Sequence, residues 1–485
     1  MTTAEIIQTA IASLSNGRAR EAMTVLDRGL KTAPNDPVLL QMKAGAAWQA
    51  GDLYAADDSL RALVKANGGD TSATDLMIAQ LALDLLEFDR SRAAIDRLLA
   101  SNEQVAGVIP VAVRLLVWQG EREQALDILG QGLAAQPGEP HLLALAVTHD
   151  RDMTAARLAQ AEALAQSLPA QGNAKTGLLY PLARYHDRKG DYKTAWDLMQ
   201  QANQLSAARM DLRFDEFSRE GLKAGLIDRA ARALSFAGTL AAAPAEPDQR
   251  HIYLVGAPRT GSSLLQSILA AHDGVQSAGE RGALLPYLNG LCDQSDATPP
   301  PDFLSQIQAA DLYGLARGGL TAPVLIDKTT HNLFIAPLIA AIHPGARFVN
   351  VTRRPQDVVL SMLFHDFPPA FPEACDLGAI IAVLEARDEV ASQFSAAGFD
   401  IAPFSFDDFT AAPETQGAAL AKAAGINWQA ETLDPSNRVA AVPTFSAGQV
   451  RQPITPTLAN KWQRFEAFIP ASDRDALHKL AANSE

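Results

Sequence analysis

The sequence predicts two kinds of architecture in one chain: an all-α superhelical array of helix pairs, followed by an α/β domain with a central parallel sheet. Three observations predict it. Over the first 240 residues alanine and leucine dominate, and apolar residues recur at three- and four-residue spacing, as in "AREAMTVLDRGL" and "EQALDILGQGL". Glycines and alanines recur there in phase, at a period that suits paired helices. Beyond "AAAPAEPDQR" (241–250) short β-branched or aromatic runs alternate with helical stretches: "HIYLV", "PVLID", "RFVNVT" and "IAPFSF". That alternation is the pattern of βαβ units. With 485 residues, 48% of them hydrophobic, the chain can form more than one core.

Gly17, Gly51, Gly120 and Gly190 are separated by 34, 69 and 70 residues, and each is followed five residues later by alanine: Ala22, Ala56, Ala125 and Ala195. Glycine permits the tight turn between antiparallel helices, and the small alanine lets them approach. Pro34 and Pro137 close two of the units. The stretch resembles the tetratricopeptide repeat, with "GDYKTA" (190–195) and "GDLYAA" (51–56) nearest to it. About six units fit residues 1–210, the third and fifth degenerate. A plain helical bundle is the competing reading. Such arrays form a concave groove, which implies peptide or protein binding on grounds of fold alone. Residues 211–250 read as a helical connector and linker, and 251–485 as the α/β domain.

A formal net charge of −14 argues against a non-specific nucleic-acid binder or a protein of anionic membrane surfaces. Cys292 and Cys375 match neither a disulfide framework nor a metal site. Nine histidines without paired spacing make no case for a metal. The start, "MTTAEIIQTAIASL", lacks the basic region and cleavage site of a signal peptide, and no 18-residue apolar stretch occurs. The expectation is a cytoplasmic protein that makes no membrane contact.

"GAPRTGSS" (256–263) follows a strand and opens a helix, so unpaired N–H groups and the helix dipole converge on one spot. The spacing is that of a P-loop, but Ser262 stands where a nucleotide triphosphatase has lysine. Arg259 offers a planar, bidentate donor for phosphate or sulfate. "FVNVTRRPQDVVLSMLFHDF" (348–367) repeats the arrangement, with Arg353 at a strand's carboxyl end, Pro355 at a helix start and Ser361 two turns in. Two such loops on one sheet suggest a ligand with two separated anionic groups.

The pair "VGAPRTGSSLL" and "VTRRPQDVVLSMLF" resembles the 5′-phosphosulfate loop and the 3′-phosphate motif of sulfotransferases. "AGE" (278–280), "DKTTHN" (327–332) and "SAGQVRQPITPTLANKW" (446–462) extend the resemblance to bacterial tetratricopeptide-repeat sulfotransferases and the related protein-tyrosine sulfotransferases, across roughly 250–470. The resemblance implies 3′-phosphoadenosine 5′-phosphosulfate as donor, with no metal. Arg259, Thr260, Gly261, Ser262 and Ser263 would hold its 5′-phosphosulfate, Arg353 and Ser361 its 3′-phosphate. It makes Glu280 the general base and Lys328 the group stabilising the bridging oxygen of the leaving phosphate. It puts Ser446 near the transferring sulfuryl group and Lys461 near the donor phosphates. The segment between them, with Gln449 and Arg451, would fold over the nucleotide, and Trp462 would pack it against the core.

Three positions depart from that pattern. Gln356 stands where arginine is common, His365 where a basic side chain is, and Phe406 where a tyrosine supplies a hydroxyl. Asp327 and His331 read as a strand-end carboxylate and a helix-start imidazole rather than catalytic groups. The acceptor is a hydroxyl, on a protein or peptide tyrosine or on a carbohydrate or small metabolite. A P-loop kinase and a repeat-based adaptor with a non-catalytic nucleotide-binding domain are the alternatives. Deleting residues 1–210 should alter acceptor use before donor binding, provided the remaining domain folds.

Overall fold

The computed structural model describes residues 2–101, 107–246, 248–282, 284–294, 298–438, 450–455 and 460–484. The chain divides into two compact units, Met1–Gly132 and Leu133–Glu485.

In the first unit Thr3–Ser15 pairs with Ala19–Thr32, Pro37–Gln49 with Leu53–Ala66, and Ser72–Asp84 with Phe88–Ala100. The in-phase glycines do what their positions require. Gly17, Gly51 and Gly120 have φ of 71°, 78° and 85°, and Gly190 in the second unit has 83°. Backbone of that hand disfavours a Cβ. In the third pair Leu86 takes the same place at φ 64°, so the turn survives where the glycine is missing. Ala22, Ala56, Ala125 and Ala195 are at most 1% exposed, as close helix approach demands.

The second unit opens with helices Pro140–His149, Ala155–Ser167, Ala174–Lys189, Tyr192–Arg209 and Glu216–Thr239. Five strands follow: β1 Arg250–Gly256, β2 Val275–Gly279, β3 Val324–Asp327, β4 Arg347–Thr352 and β5 Ala402–Ser405. They form one sheet in the order β2-β3-β1-β4-β5, every pairing parallel. From β1 the chain passes to one side and later returns to β4 on the other. The carboxyl ends of β1 and β4 therefore flank the switch point where such sheets bind ligands.

Alternate strand residues feed two cores. Tyr253, Val255 and Phe348 pack with Glu216–Thr239, Ala336–Ile342 and Leu377–Ala396. Ile252, Leu254, Val349 and Val351 pack with Ser262–Leu269 and Pro413–Ala424. A third cluster joins Val358–Leu363 to Trp196 and Met199 of the preceding helices and to Trp462, Phe465 and Leu477.

Beneath β1 lies a buried polar chain. His343 Nδ1–H donates to Glu246 Oε1 at 2.5 Å, and His343 Nε2 is 3.3 Å from Asp311, which pairs with Arg281 at 2.9 Å. His251 Nε2 lies 2.9 Å from the other Glu246 oxygen. Burial alone would raise the Glu246 carboxyl, but hydrogen bonds from His251 and His343 outweigh it and hold it at about 2. Burial would lower His343, and its bonds to Asp311 and Glu246 outweigh that too, so its pKa rises above 6.5. The carboxylate's contribution to stability is present above the ordinary 4.5 and fades as pH falls toward 2. That of the imidazolium is complete below 6.5 and fades as pH climbs through the raised value. Glu246→Gln should therefore lower the melting temperature most between these limits. A deficit that stays constant across the whole pH range would reject this account.

Candidate anion and transfer site

The loop after β1 is shaped by two close approaches. A Cβ at Gly256, whose φ is 132°, would lie 2.4 Å from the Val351 carbonyl oxygen, and one at Gly261 (φ 94°) 2.2 Å from the Phe406 ring. Arg259 between them also has positive φ, 68°. Thr260 is buried and donates its hydroxyl to the Ala257 carbonyl at 2.9 Å. Ser262 and Ser263 are buried in the first turn of Ser262–Leu269.

The two loops interlock. Arg259 Nε donates to Ser361 Oγ at 2.9 Å, and Arg353 Nη1 donates to the Arg259 carbonyl at 3.2 Å. Arg259 thus reaches from the first motif into the second. The two guanidiniums repel: burial, then Arg353, push Arg259 down to about 10, with Glu280 the nearby counter-charge. Arg353 also lies over the Phe406 ring, 5.5 Å from its centre. Phe406 serves as a floor for both loops, a role that needs no hydroxyl.

Asp357 joins the C-terminal segment to this corner. Its carboxylate accepts the backbone N–H groups of Asn460 at 3.0 Å and Trp462 at 3.3 Å. Lys461 between them has a surface side chain, yet desolvation, then Arg464 and, more weakly, Arg353, lower its pKa. Trp462 is buried in the third core cluster. Ser446 and Gln449 lie outside the described residues.

On the other side of β1 the Glu280 and Lys328 loops are stitched together. Lys328 N–H donates to the Gly279 carbonyl at 2.9 Å, and Gly282 N–H to Thr329 Oγ1 at 3.1 Å. Lys328, 2% exposed, directs its ammonium at the carboxylate of Glu280, which is 56% exposed. Asp327 accepts from Thr329 N–H at 2.6 Å, and burial pushes its carboxyl up to about 6. Burial, reinforced by Arg387, takes His331 down to about 3, so its imidazole is neutral.

His365 is not a cation here. Burial, Arg259 and Arg184 drive its pKa well below the ordinary value, and its Nδ1–H donates to the Ser361 carbonyl at 2.7 Å. Gln356 is buried and donates to the Leu477 carbonyl at 3.3 Å, facing the C-terminal helix rather than the anion corner. Glu246, His251 and His343 place three potential ligand atoms within 4.8 Å of one another. Those atoms are engaged in the hydrogen bonds described above.

Residues 251–430 match the model of the sulfotransferase family. The C-terminal part of the chain carries a sulfotransferase-family domain. An "Uncharacterized protein" of Aquifex aeolicus (strain VF5) is 24% identical over 522 residues, 93% of this chain and 67% of that one. A "Putative protein-tyrosine sulfotransferase" of Caenorhabditis briggsae is 26% identical over 132 residues, 24% of this chain and 45% of its own length. Among solved structures, the sulfotransferase domain of the Synechococcus PCC 7002 olefin synthase aligns at 18% identity and TM-score 0.37, covering 49% of this chain and 96% of that domain. A sulfotransferase of Mycobacterium tuberculosis H37Rv aligns at 13% identity and TM-score 0.26, covering 65% and 99%. No helix among the described residues is long and apolar enough to cross a membrane.

Several residues that shape this site escape sequence reading. Asp357 sits inside a recognised motif, yet only the fold shows it capping a segment a hundred residues on. Thr329 likewise stands in "DKTTHN" without advertising its bond to the loop after Glu280. Gly261→Ala should destabilise by on the order of 3 kcal/mol, because the methyl meets the Phe406 ring at a positive φ. Urea denaturation measures this, and an unmoved midpoint would refute the close approach.

Proposed function

We propose that the protein transfers a sulfuryl group from 3′-phosphoadenosine 5′-phosphosulfate to a hydroxyl acceptor. The observation that carries this reading is the interlock of Arg259, Ser361 and Arg353 at the switch point, beside the Glu280–Lys328 pair. Burial and then Arg353 lower the Arg259 pKa, and burial lowers that of Arg353 against the opposing charges of Asp357 and Asp407. Such a corner fits a polyanion, which relieves the repulsion. The first loop, Arg259, Thr260, Gly261, Ser262 and Ser263, would hold the 5′-phosphosulfate. Arg353 and Ser361 would hold the 3′-phosphate, with Lys461 at the rim. The donor supplies an activated sulfuryl group on a phosphate leaving group, a reaction that asks the protein for alignment and charge stabilisation.

Glu280 is the base in this reading. The acceptor oxygen attacks sulfur, the sulfur–oxygen bond to the donor phosphate breaks, and the acceptor proton passes to the Glu280 carboxylate. Lys328 orients that carboxylate now and faces the departing phosphate during transfer. Ser446 is assigned beside the sulfuryl group by resemblance. Similarity to a protein named for tyrosine sulfation favours a peptide tyrosine as acceptor. The in-phase helix pairs support a tetratricopeptide-type array as the groove that presents it.

Calorimetry with adenosine 3′,5′-bisphosphate tests the donor assignment. Arg353→Ala should weaken binding roughly 10- to 100-fold, as loss of a charge-assisted contact does. An unaltered affinity, or equal affinity for ATP, would overturn it. Glu280→Gln should keep nucleotide binding while turnover of a sulfated tyrosyl peptide product falls about 100- to 10,000-fold. Lost binding would instead make Glu280 structural.

A further inference from the structure

The helix Pro355–Leu363 carries Ser361 in its last turn, and its terminal carbonyls need partners that the helix cannot supply. Two partners are local. His365 gives its backbone N–H to the Met362 carbonyl at 3.0 Å and its ring N–H to that of Ser361. The other two come from more than 150 residues upstream. Asn203 Nδ2 donates to the Leu363 carbonyl at 3.1 Å, and Arg184 Nη1 to the Phe364 carbonyl at 2.8 Å. Both belong to the helix pair Ala174–Lys189 and Tyr192–Arg209, the pair that carries the Gly190 turn and Ala195 of the repeat pattern.

Asn203 is itself fixed. It is 5% exposed, and its Oδ1 accepts the buried Tyr180 hydroxyl at 2.7 Å. Arg184 adds a guanidinium at a helix C-terminus, where the dipole favours positive charge. It lies close enough to Arg259 and His365 for their charges to interact. Around these bonds Ala183, Ala195, Trp196 and Met199 pack with Val358, Met362, Leu363 and Phe364.

We infer that Arg184 and Asn203, from the last helix pair of the array, are positioning residues of the donor site: they cap the helix that presents Ser361 and so set the preference for a 3′-phosphate. This rests on the donor-site reading given above. Without the caps the last turn frays, Ser361 leaves Arg259, and the 3′-phosphate corner loses its shape while the 5′ loop after β1 stays intact. The array then has a part in donor recognition, and its service is not confined to the acceptor.

The experiment titrates the full chain with adenosine 3′,5′-bisphosphate and with adenosine 5′-monophosphate, and takes the ratio of the two affinities. Arg184→Met and Asn203→Leu should each lower that ratio about tenfold, the effect of losing one charge-assisted or buried hydrogen bond. Arg184→Lys, which keeps charge and one donor, should recover part of it. Melting temperatures are recorded in parallel. Variants that melt earlier but keep the wild-type ratio would overturn the inference, since a merely structural role moves stability and not preference. Should Arg184→Met fail to fold, Asn203→Leu and Arg184→Lys decide by the same ratio. A wild-type protein that binds neither nucleotide would reject the donor-site reading itself. A wild type that prefers the bisphosphate, beside variants that do so equally, rejects only the role given to Arg184 and Asn203.

Discussion

The site depends on one contact, the hydrogen bond from Arg259 to Ser361. It joins two loops far apart in sequence, and it exists because β1 and β4 are neighbours in a sheet whose chain path splits between them. Arg353 returns the contact by donating to the Arg259 carbonyl. The result is a corner where like charges are held together by geometry against their repulsion. Two features make that tolerable. Gly256 and Gly261 let the loop approach β4 and the Phe406 ring closely, and the ring gives Arg353 a polarisable floor. Carboxylates temper the crowding as well, Glu280 acting on Arg259 and Asp357 and Asp407 on Arg353.

The Glu280–Lys328 side is built on a different principle, a single close charge pair. Lys328 is nearly inaccessible while Glu280 is more than half exposed. The pair therefore presents its carboxylate outward and keeps its cation inward, the polarity required if an acceptor arrives from solvent and a donor lies within. The turn carrying Glu280 follows a shift in β2–β3 register between Ser277 and Gly279, which changes the direction of the backbone just before that residue. Arg281, next in sequence, points back into the buried chain through Asp311 to His343. Glu280 faces solvent while Arg281, 13% exposed, turns inward, so the turn's position is determined from both sides.

Local sequence showed what local chemistry dictates. The glycine–alanine phase revealed helix pairs because each glycine lies in a left-handed turn and each alanine at a contact. β1, β3, β4 and β5 were legible as β-branched or aromatic runs. β2 was not, since "VQSAG" is small, polar and half-buried, and it forms a strand through its pairing with β3. Phosphate-type loops were visible because glycine, arginine and hydroxyl residues at a strand's end have few other uses. Their coupling was invisible: no feature of "GAPRTGSS" says that its arginine binds the serine of another motif. His365 shows the same limit. Its type leaves its charge open near neutrality, but burial beside two arginines makes it neutral, and burial is a property of the assembled fold.

The helix pair 174–209 has two memberships, and this bears on how the array and the transfer chemistry are related. By sequence phase it is a repeat, with its turn glycine and its contact alanine. By packing it belongs to the α/β core, because Trp196 and Met199 bury against Val358–Leu363 and two of its polar side chains end that helix. A deletion through residue 210 would therefore not test the acceptor alone. It would expose an apolar face and strand two buried carbonyls beside Ser361, a cost that falls on the anion corner first. The deletion of residues 1–210 cuts through these contacts. The helix pair 174–209 is thus a wall of the anion corner.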